Sequence, residues 1–486
     1  MEENILLINY KSRSLEELEK LPTKELARIA HEALQNWDKL NQKVNQDSTN
    51  SSQAPSQDSP EAKAKRKAEK EAPLQKKHDA RKQGAQQGHK AVSRPLLPLG
   101  DKDTVIDCKP EACAHCGESL EEISDPEPYR QQHYDVEIIR RITEYRKHEL
   151  VCPCCGEATE GVLPEKANES AYSPDVAALV VTLTGLFHMS RRMTRLFIEN
   201  VTGIPISTGS VSKLEKEMTQ AAEPVMKEIE KAAQSARSGN ADETGIGMKG
   251  SQQGWLWVLV TPLAVLFRVY LGRSQKWACE LLGDFAGILT TDRWGGYNRY
   301  PASKRQLCWA HLIRDFKAMC ASGPAGKQIG EKLRKEARLM FRLWHRMKKW
   351  KESQEKRGVK ISVTVLESQM QAPRCRIRLL LEEGVRQGVA KCDTILKVEP
   401  MLWTFTKEKD IEPTNNAAER AIRPAVLWRK RSFGVESARG AQYVESMLSI
   451  WATSRCNGVN PIVFLRKLIH ASRSKAHTPS IFSPIH

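Results

Sequence analysis

Apolar positions recur at alternating spacings of four and three over residues 14–44, at Leu26, Ala30, Ala33, Trp37, Leu40 and Val44. That spacing predicts a helix with a short heptad seam, packed on its own protein or on a second copy. The pattern stops over residues 45–100. Ser, Gln, Pro and Asn dominate up to Pro60, and almost nothing apolar follows, so a flexible linker is predicted. Residues 173–220 return to helical spacing, interrupted at Gly203 and Pro205. Residues 236–300 then change to strand character. Strands are predicted near Gly239–Gly247, at Trp255–Val260 and at Ala264–Leu271, then a helix at Gln275–Phe285 and a strand at Gly287–Thr291. Residues 311–400 read as long basic helices, and a last helical block runs from Asn415 to about Ser472.

With 486 residues the chain is too long for one ordinary domain, and its 40% of hydrophobic residues can fill at least one core. No run of about 20 apolar residues occurs, so no membrane span is expected. Glu2 and Glu3 at the start exclude a basic secretory leader. These features point to the cytoplasm, where the 12 cysteines serve as thiols or metal ligands rather than disulfides. Lys and Arg outnumber Asp and Glu by 76 to 59, a formal charge of +17. Such a balance favours a polyanionic partner, because each cation set on a phosphate releases condensed counterions. The linker contributes locally: Lys63 to Arg94 holds 11 basic residues and 3 acids.

Two cysteine pairs, Cys113-Ala-His-Cys116 and Cys152-Pro-Cys-Cys155, are each followed by Gly. Two intervening residues let both thiolates of a pair reach one ion, and the Gly accepts the turn's backbone geometry. Cys113, Cys116, Cys152 and Cys155 are therefore expected to hold one structural Zn²⁺, with Cys108, His115 and Cys154 as spare donors. Tyr134 to Arg140 between the pairs reads as a strand. Further on, a helix from Arg191 to Asn200, a turn at Thr202-Gly-Ile-Pro205 and a helix beginning at Ser207 or Ser210 have helix-turn-helix spacing. Arg191, Arg192 and Arg195 would then lie on DNA phosphates.

The predicted strand near Asn240 ends in Ala-Asp242-Glu-Thr-Gly, and the strand near Leu289 ends in Thr-Thr-Asp292-Arg-Trp-Gly-Gly-Tyr. The order strand, strand, strand, helix, strand is that of a ribonuclease-H-like core, in which the first and fourth strands are neighbours and their acids face one point. A third acid on a later helix is expected at Glu419, in the first turn after a cap at Thr414, Asn415 or Asn416. Three carboxylates are a hard oxygen set for two Mg²⁺ (or Mn²⁺) ions, roughly 3.5–4 Å apart, that activate a nucleophile and stabilise a leaving oxygen in phosphoryl transfer. Glu243 alternates to the opposite strand face, and Asp284, Glu412, Glu436 and Glu445 compete less well for the other two places. Arg420 and Arg423 flank Glu419 and suit phosphates.

At these residues the chain resembles the IS sixty-six family of bacterial insertion-sequence transposases. The resemblance spans most of the length. It is carried by Asn50 to Asp58, Gly84-Ala-Gln-Gln-Gly-His-Lys90, the paired cysteines and Ala241-Asp-Glu-Thr-Gly245. It is carried most specifically by Thr291-Asp-Arg-Trp-Gly-Gly-Tyr297, Cys308-Trp-Ala-His311-Leu-Ile-Arg-Asp-Phe and Asn415-Asn-Ala-Ala-Glu-Arg420. It implies Asp242, Asp292 and Glu419 as the catalytic triad, the four cysteines as zinc ligands, and Cys308 with His311 as a motif in a structural or DNA-positioning role. Arg293 stands where a small residue is expected, Ala85 and Gln87 replace Gly and Pro, and Gly185 to Arg195 departs from the family pattern. Partner proteins of the same element and action at terminal inverted repeats are further implications.

The expected whole is a multidomain α+β chain: an N-terminal helix (1–45), a basic linker (46–100), a zinc module (101–166) and a helical DNA-binding region (167–235). A ribonuclease-H-like α/β catalytic core (236–310 and 410–455) follows, with a helical insertion (311–409) because 127 positions separate Asp292 from Glu419. A tail (456–486) ends it. The expected activity is cutting element ends and joining them to target double-stranded DNA, as a homo-oligomer in the bacterial nucleoid. A zinc-containing regulator without catalysis and a nuclease that cuts without joining are the competing classes.

Overall fold

The computed structural model describes residues 22–29, 59–61, 63–64, 68, 95–100, 103–120, 125–164, 170–248, 253–359, 362–432 and 434–483. Of the predicted N-terminal helix only 23–29 falls within these, and it is helical. The rest of the seam, most of the basic run and the Gly84–Lys90 element lie outside the described residues. The chain divides into a unit of Ala64–Ile142 and a second that includes Thr143–His486.

In the smaller unit, Cys113–Gly117 forms a tight turn flanked by a bridge between Ala112 and Ser119. Tyr134 to Arg140, expected as a strand, pairs with no ladder among the described residues. Val136, Ile138 and Ile139 stand exposed there. Alternating apolar side chains make a strand only where a neighbouring strand accepts the backbone hydrogen bonds.

The larger unit opens with a short antiparallel hairpin, β1 (Glu149–Val151) and β2 (Ala158–Glu160). Its centre is a five-stranded sheet of β3 (Ser238–Gly247), β4 (Gln253–Val260), β5 (Val265–Tyr270), β6 (Ile288–Thr291) and β7 (Arg305–Leu307), in the order β5-β4-β3-β6-β7. β3, β4 and β5 are antiparallel, while β6 and β7 run parallel to β3. The parallel step from β5 to β6 passes over the helix Gln275–Leu282, as a parallel connection requires.

Side chains alternate across this sheet with period two. Trp257, Leu259 and Leu266 face one core, with Val225 and Ile229 of the helix Thr208–Gln234. Leu256, Val258, Val265 and Phe267 face the other, with Ala418, Ile422 and Ala425 of the helix Asn416–Ser432. The helices of residues 174–234, within the expected DNA-binding region 167–235, belong to the first of these cores, with Thr208–Gln234 against the sheet. The helix Pro461–Arg473, within the expected C-terminal tail 456–486, buries Phe464, Leu465, Leu468 and Ile469 in that same core.

Both sheet edges are closed. On β5, the backbone N–H groups of Val265, Phe267 and Val269 donate to Thr453 Oγ1 (3.0 Å), Ser449 Oγ (2.9 Å) and Glu445 Oε1 (2.7 Å). Those acceptors are spaced by four on the helix Ala438–Cys456, one helical stripe matched to alternate strand residues. On β7, Thr404 Oγ1 donates to the Arg305 carbonyl (2.6 Å) and the Phe405 N–H donates to Gln306 Oε1 (2.8 Å). Thr404 and Phe405 end a helical segment that starts at Trp309 and has its own core of Ile329, Leu333, Met340, Ile377, Leu381 and Trp403.

Candidate active site

Asp242 lies within β3 opposite Val258, so it shares the face that packs on Asn416–Ser432. Asp292 immediately follows β6. The parallel register pairs Ser238 with Ile288 and Asn240 with Thr290, so Asp242 and Asp292 each lie two residues beyond the last pair. Glu419 occupies the first turn of Asn416–Ser432. The three are close enough that Asp292 and Glu419 both raise the pKa of Asp242.

The electrostatics of Asp242 are one-sided. Burial pushes its carboxyl well above the usual range, and the like charges of Glu243, Asp292 and Glu419 push the same way. One backbone N–H, from Glu243 to Asp242 Oδ1 (2.9 Å), opposes them. Asp292 Oδ1 accepts the Trp294 N–H (3.0 Å), which fixes the turn after β6. A divalent cation fits such a set of oxygens, because it would answer a repulsion that no protein cation answers at Asp242 among the described residues.

Asn415 sets the position of Glu419. Its carbonyl accepts the Glu419 N–H (3.2 Å), which makes it the helix cap. Its buried side chain does not cap. Nδ2 donates to the Ala241 carbonyl (2.8 Å) and Oδ1 accepts from Asn240 Nδ2 (3.1 Å). The helix start is thereby fastened to the residues before Asp242.

Glu243 takes the other face, opposite Trp257. Its side chain, 2% exposed, accepts from Arg273 Nε (2.7 Å) and Tyr297 Oη (2.9 Å). Arg273 lies over the rings of Trp255 and Trp294. Burial raises the carboxyl of Glu243, Asp292 adds to this, and Arg273 opposes it. Sequence reading set Glu243 aside without foreseeing this ion pair, because Arg273 shares no motif with it. The Trp-Gly-Gly-Tyr run serves the same cluster: a Cβ on Gly296 would overlap the Trp294 ring. Arg293 turns away to Asp315 (2.5 Å), which also takes Lys391 (2.8 Å). The buried Arg305, also unforeseen, donates from Nη2 to Thr291 Oγ1 (3.1 Å) and to the Asp292 carbonyl (3.4 Å).

The rival acids lie elsewhere. Asp284 is exposed, Glu412 pairs with Lys348 (2.7 Å) and Glu445 closes the β5 edge. Arg420 and Arg423 are exposed on the helix that carries Glu419. Arg191 pairs with Glu215 (2.7 Å), Arg195 lies beside Glu199 (3.8 Å), and Arg192 is exposed. The helices there are Arg191–Thr202 and Thr208–Gln234, with left-handed Gly203 closing the first. The second buries one face along its whole length.

Cys308 and His311 border the acids. Cys308 is buried just before the helix Trp309–Met319, and burial raises its thiol. His311 is held below its ordinary pKa by burial and by Arg314. Sγ of Cys308, a ring nitrogen of His311 and a carboxylate oxygen of Glu419 lie within 4.8 Å of one another.

The two cysteine pairs belong to different units, and each forms the same turn. The Gly117 N–H donates to the Cys113 carbonyl (3.0 Å) and the Gly156 N–H to the Cys152 carbonyl (2.9 Å). Both glycines are left-handed, φ 78° and 75°. Backbone N–H groups of His115 and Cys116 lower the Cys113 thiol pKa, and those of Cys155 and Cys154 lower that of Cys152. Turns that stabilise thiolates fit a thiophilic ion.

A family model described as "Transposase IS66 family" matches residues 169–443, more than half of the chain and all of the acidic site. The chain belongs to the IS66 transposase family. A second model, of a family of unknown function, matches residues 9–95. Among curated proteins, the uncharacterized protein y4qI of Sinorhizobium fredii (strain NBRC 101917 / NGR234) is 25% identical over 284 residues, half of each chain. The uncharacterized protein y4hP of the same strain is 22% identical over 416 residues, 78% of this chain and 73% of that one. The match thus spans about half the length of the first relative. No helix among the described residues is long and apolar enough to cross a membrane.

Proposed function

We propose that this IS66-family chain is a DNA transposase of the DDE type, in which Asp242, Asp292 and Glu419 hold two Mg²⁺ ions on a ribonuclease-H-like core. The observation that carries this reading is the convergence of three carboxylates, from two adjacent parallel strands and one helix start, into mutual repulsion with no protein cation to relieve it at Asp242. The sheet order, with three antiparallel strands followed by two parallel to the first, supports the same core. Bound Mg²⁺ would supply charge neutralisation and a nucleophile activated near neutral pH.

The protein groups divide the remaining work. Asp242 and Asp292 are presented by rigid strands, and Glu419 closes on them from the helix fastened by Asn415. Arg273 and Tyr297 keep Glu243 turned to the other face. Arg420 and Arg423 are available to backbone phosphates. In the first step water attacks the phosphodiester at the element end, forming a P–O bond that leaves the flanking strand with a 5′ phosphate and breaking the bond to the element's 3′ oxygen, which departs as the 3′ hydroxyl. That hydroxyl then attacks a target phosphodiester and displaces a target 3′ oxygen. Cys113 and Cys116, and likewise Cys152 and Cys155, serve structural Zn²⁺, each pair through its own turn, and Arg191, Arg192 and Arg195 lie near DNA. The protein acts as a homo-oligomer, since two ends must be joined, in the cytoplasm on the nucleoid, alongside proteins of the same element.

The test is Asp292→Ala with labelled element ends and target DNA in Mg²⁺. Loss of joined product, by about 100-fold or more, is expected for a group that positions the transition-state charge. Unchanged strand transfer would overturn the triad. Cleavage without joined product in the parent chain would assign a nuclease, and neither product a DNA-binding regulator.

A further inference from the structure

The geometry points to His311 as a positioning residue for Glu419: its Nδ1 lies 3.9 Å from Glu419 Oε1, and Arg314 fixes the ring tautomer that puts the proton on Nδ1. The inference deepens the two-metal reading and rests on it.

Two buried atoms face each other without partners. His311 Nδ1 and Glu419 Oε1 make no hydrogen bond to any described group, and they lie 3.9 Å apart. At the other side of the ring, Arg314 Nη1 lies 3.2 Å from Nε2. A guanidinium only donates, so Nε2 must accept and the proton of a neutral imidazole resides on Nδ1. The one donor the ring has left thus lies 3.9 Å from a buried carboxylate oxygen that has no hydrogen-bond partner among the described residues. A closure of about 1 Å brings the pair into hydrogen-bond range. Such closure is the ordinary change when a loaded site tightens. Oε1 would then be held by the imidazole, and Oε2 would be free to help Asp242 and Asp292 hold a divalent cation.

Cys308 supplies the frame. Its N–H donates to the Thr291 carbonyl (2.9 Å), one residue before Asp292, and its Sγ accepts the Asn415 N–H (3.1 Å), at the cap of the Glu419 helix. The next residue continues the clamp, with the Trp309 N–H on the Pro413 carbonyl (2.9 Å). One turn of helix later comes His311. The Cys308-Trp-Ala-His311 segment thus joins the elements bearing the second and third acids and orients the third. A thiophilic ion held by Cys308, His311 and Glu419 is the competing use of these atoms, but the Arg314 contact occupies the lone pair of Nε2 and so puts the proton on Nδ1, which leaves neither ring nitrogen free for it.

The test uses the full chain with labelled element ends. His311→Ala is expected to raise the Mg²⁺ concentration for half-maximal strand transfer by about 10–100-fold, the range for removing a partner of a metal-ligating group. Mg²⁺ and Mn²⁺ binding by titration calorimetry should weaken by the same factor, while melting in chelator and end binding stay unchanged. His311→Asn, whose amide N–H can stand near Nδ1, should recover most of the loss. Arg314→Ala should give a smaller shift that vanishes in the His311→Ala background. Unchanged metal dependence in His311→Ala, or full additivity with Arg314→Ala, overturns the inference. So does a loss of one zinc per chain in Cys308→Ser, which would make these residues ligands. If Asp292→Ala and Glu419→Ala abolish strand transfer while His311→Ala does nothing, only this inference fails. If Asp292→Ala remains active, the triad itself fails.

Discussion

Asp242 shows how one residue can serve a site against its own fold. Its carboxyl is buried among like charges and its pKa is raised, so the folded chain binds that proton more tightly than the unfolded chain does. The stability it contributes is therefore complete below the ordinary carboxylate range and is lost as pH rises through the folded value. Asp242→Asn removes the loss. In chelator at pH 8 the variant should be more stable than the parent by about 0.5–2 kcal/mol, the range common for relieving an unfavourable polar site. Near pH 4 the two should unfold alike. Added Mg²⁺ should stabilise the parent and not the variant. Thermal unfolding across pH, with and without Mg²⁺, checks all three, and a variant that melts below the parent at pH 8 would mean the carboxylate is already neutralised by another group.

At the scale of elements, the edge of β5 makes the clearest demand on the sequence. Glu445, Ser449 and Thr453 meet alternate strand N–H groups, and Ser449 Oγ is the acceptor for Phe267. Ser449→Ala leaves that buried N–H unsatisfied and should destabilise the fold by about 1–3 kcal/mol, read by denaturant unfolding, with the metal dependence of strand transfer unchanged. An unaltered midpoint would show that another group or water takes the N–H. None of this could be read beforehand, because a helical stripe of Glu, Ser and Thr has no sign of its own until a strand is beside it. The strands themselves were legible: Trp255–Val260 and Ala264–Leu271 were expected, and Gln253–Val260 and Val265–Tyr270 are found. Period-two alternation of large apolar residues identifies them locally. Asp292 after a strand and Glu419 in the first turn of a helix stand where local patterns put them, whereas Asp242, expected at a strand end, lies within β3, which runs on to Gly247. The Glu243–Arg273–Tyr297 cluster and the Arg314–His311–Glu419 contact were not legible, because their members are joined by pairing register and not by spacing. Tyr134 to Arg140 failed in the opposite way, since alternation alone cannot supply a partner strand.

Across the whole molecule, charge is distributed against its own centre. The chain carries a formal charge of +17, yet the site concentrates Asp242, Glu243, Asp292 and Glu419. A polyanion approaching such a site is repelled at close range unless cations intervene, and exposed Arg420 and Arg423 are one residue and one helical turn from Glu419. Both can point outward because the opposite side of their helix, at Ala418, Ile422 and Ala425, is fixed in the core. The core thus fixes the backbone from which both side chains project. Binding of double-stranded ends should weaken steeply with salt, as for any interface dominated by phosphate contacts. Arg420→Ala and Arg423→Ala should each weaken it for all sequences alike and reduce the slope of log affinity against log salt by about one. Fluorescence anisotropy across a salt series measures this. An unchanged slope in both variants would move the DNA path away from this helix, while a loss confined to one sequence would make that arginine a reader of bases instead of a phosphate contact.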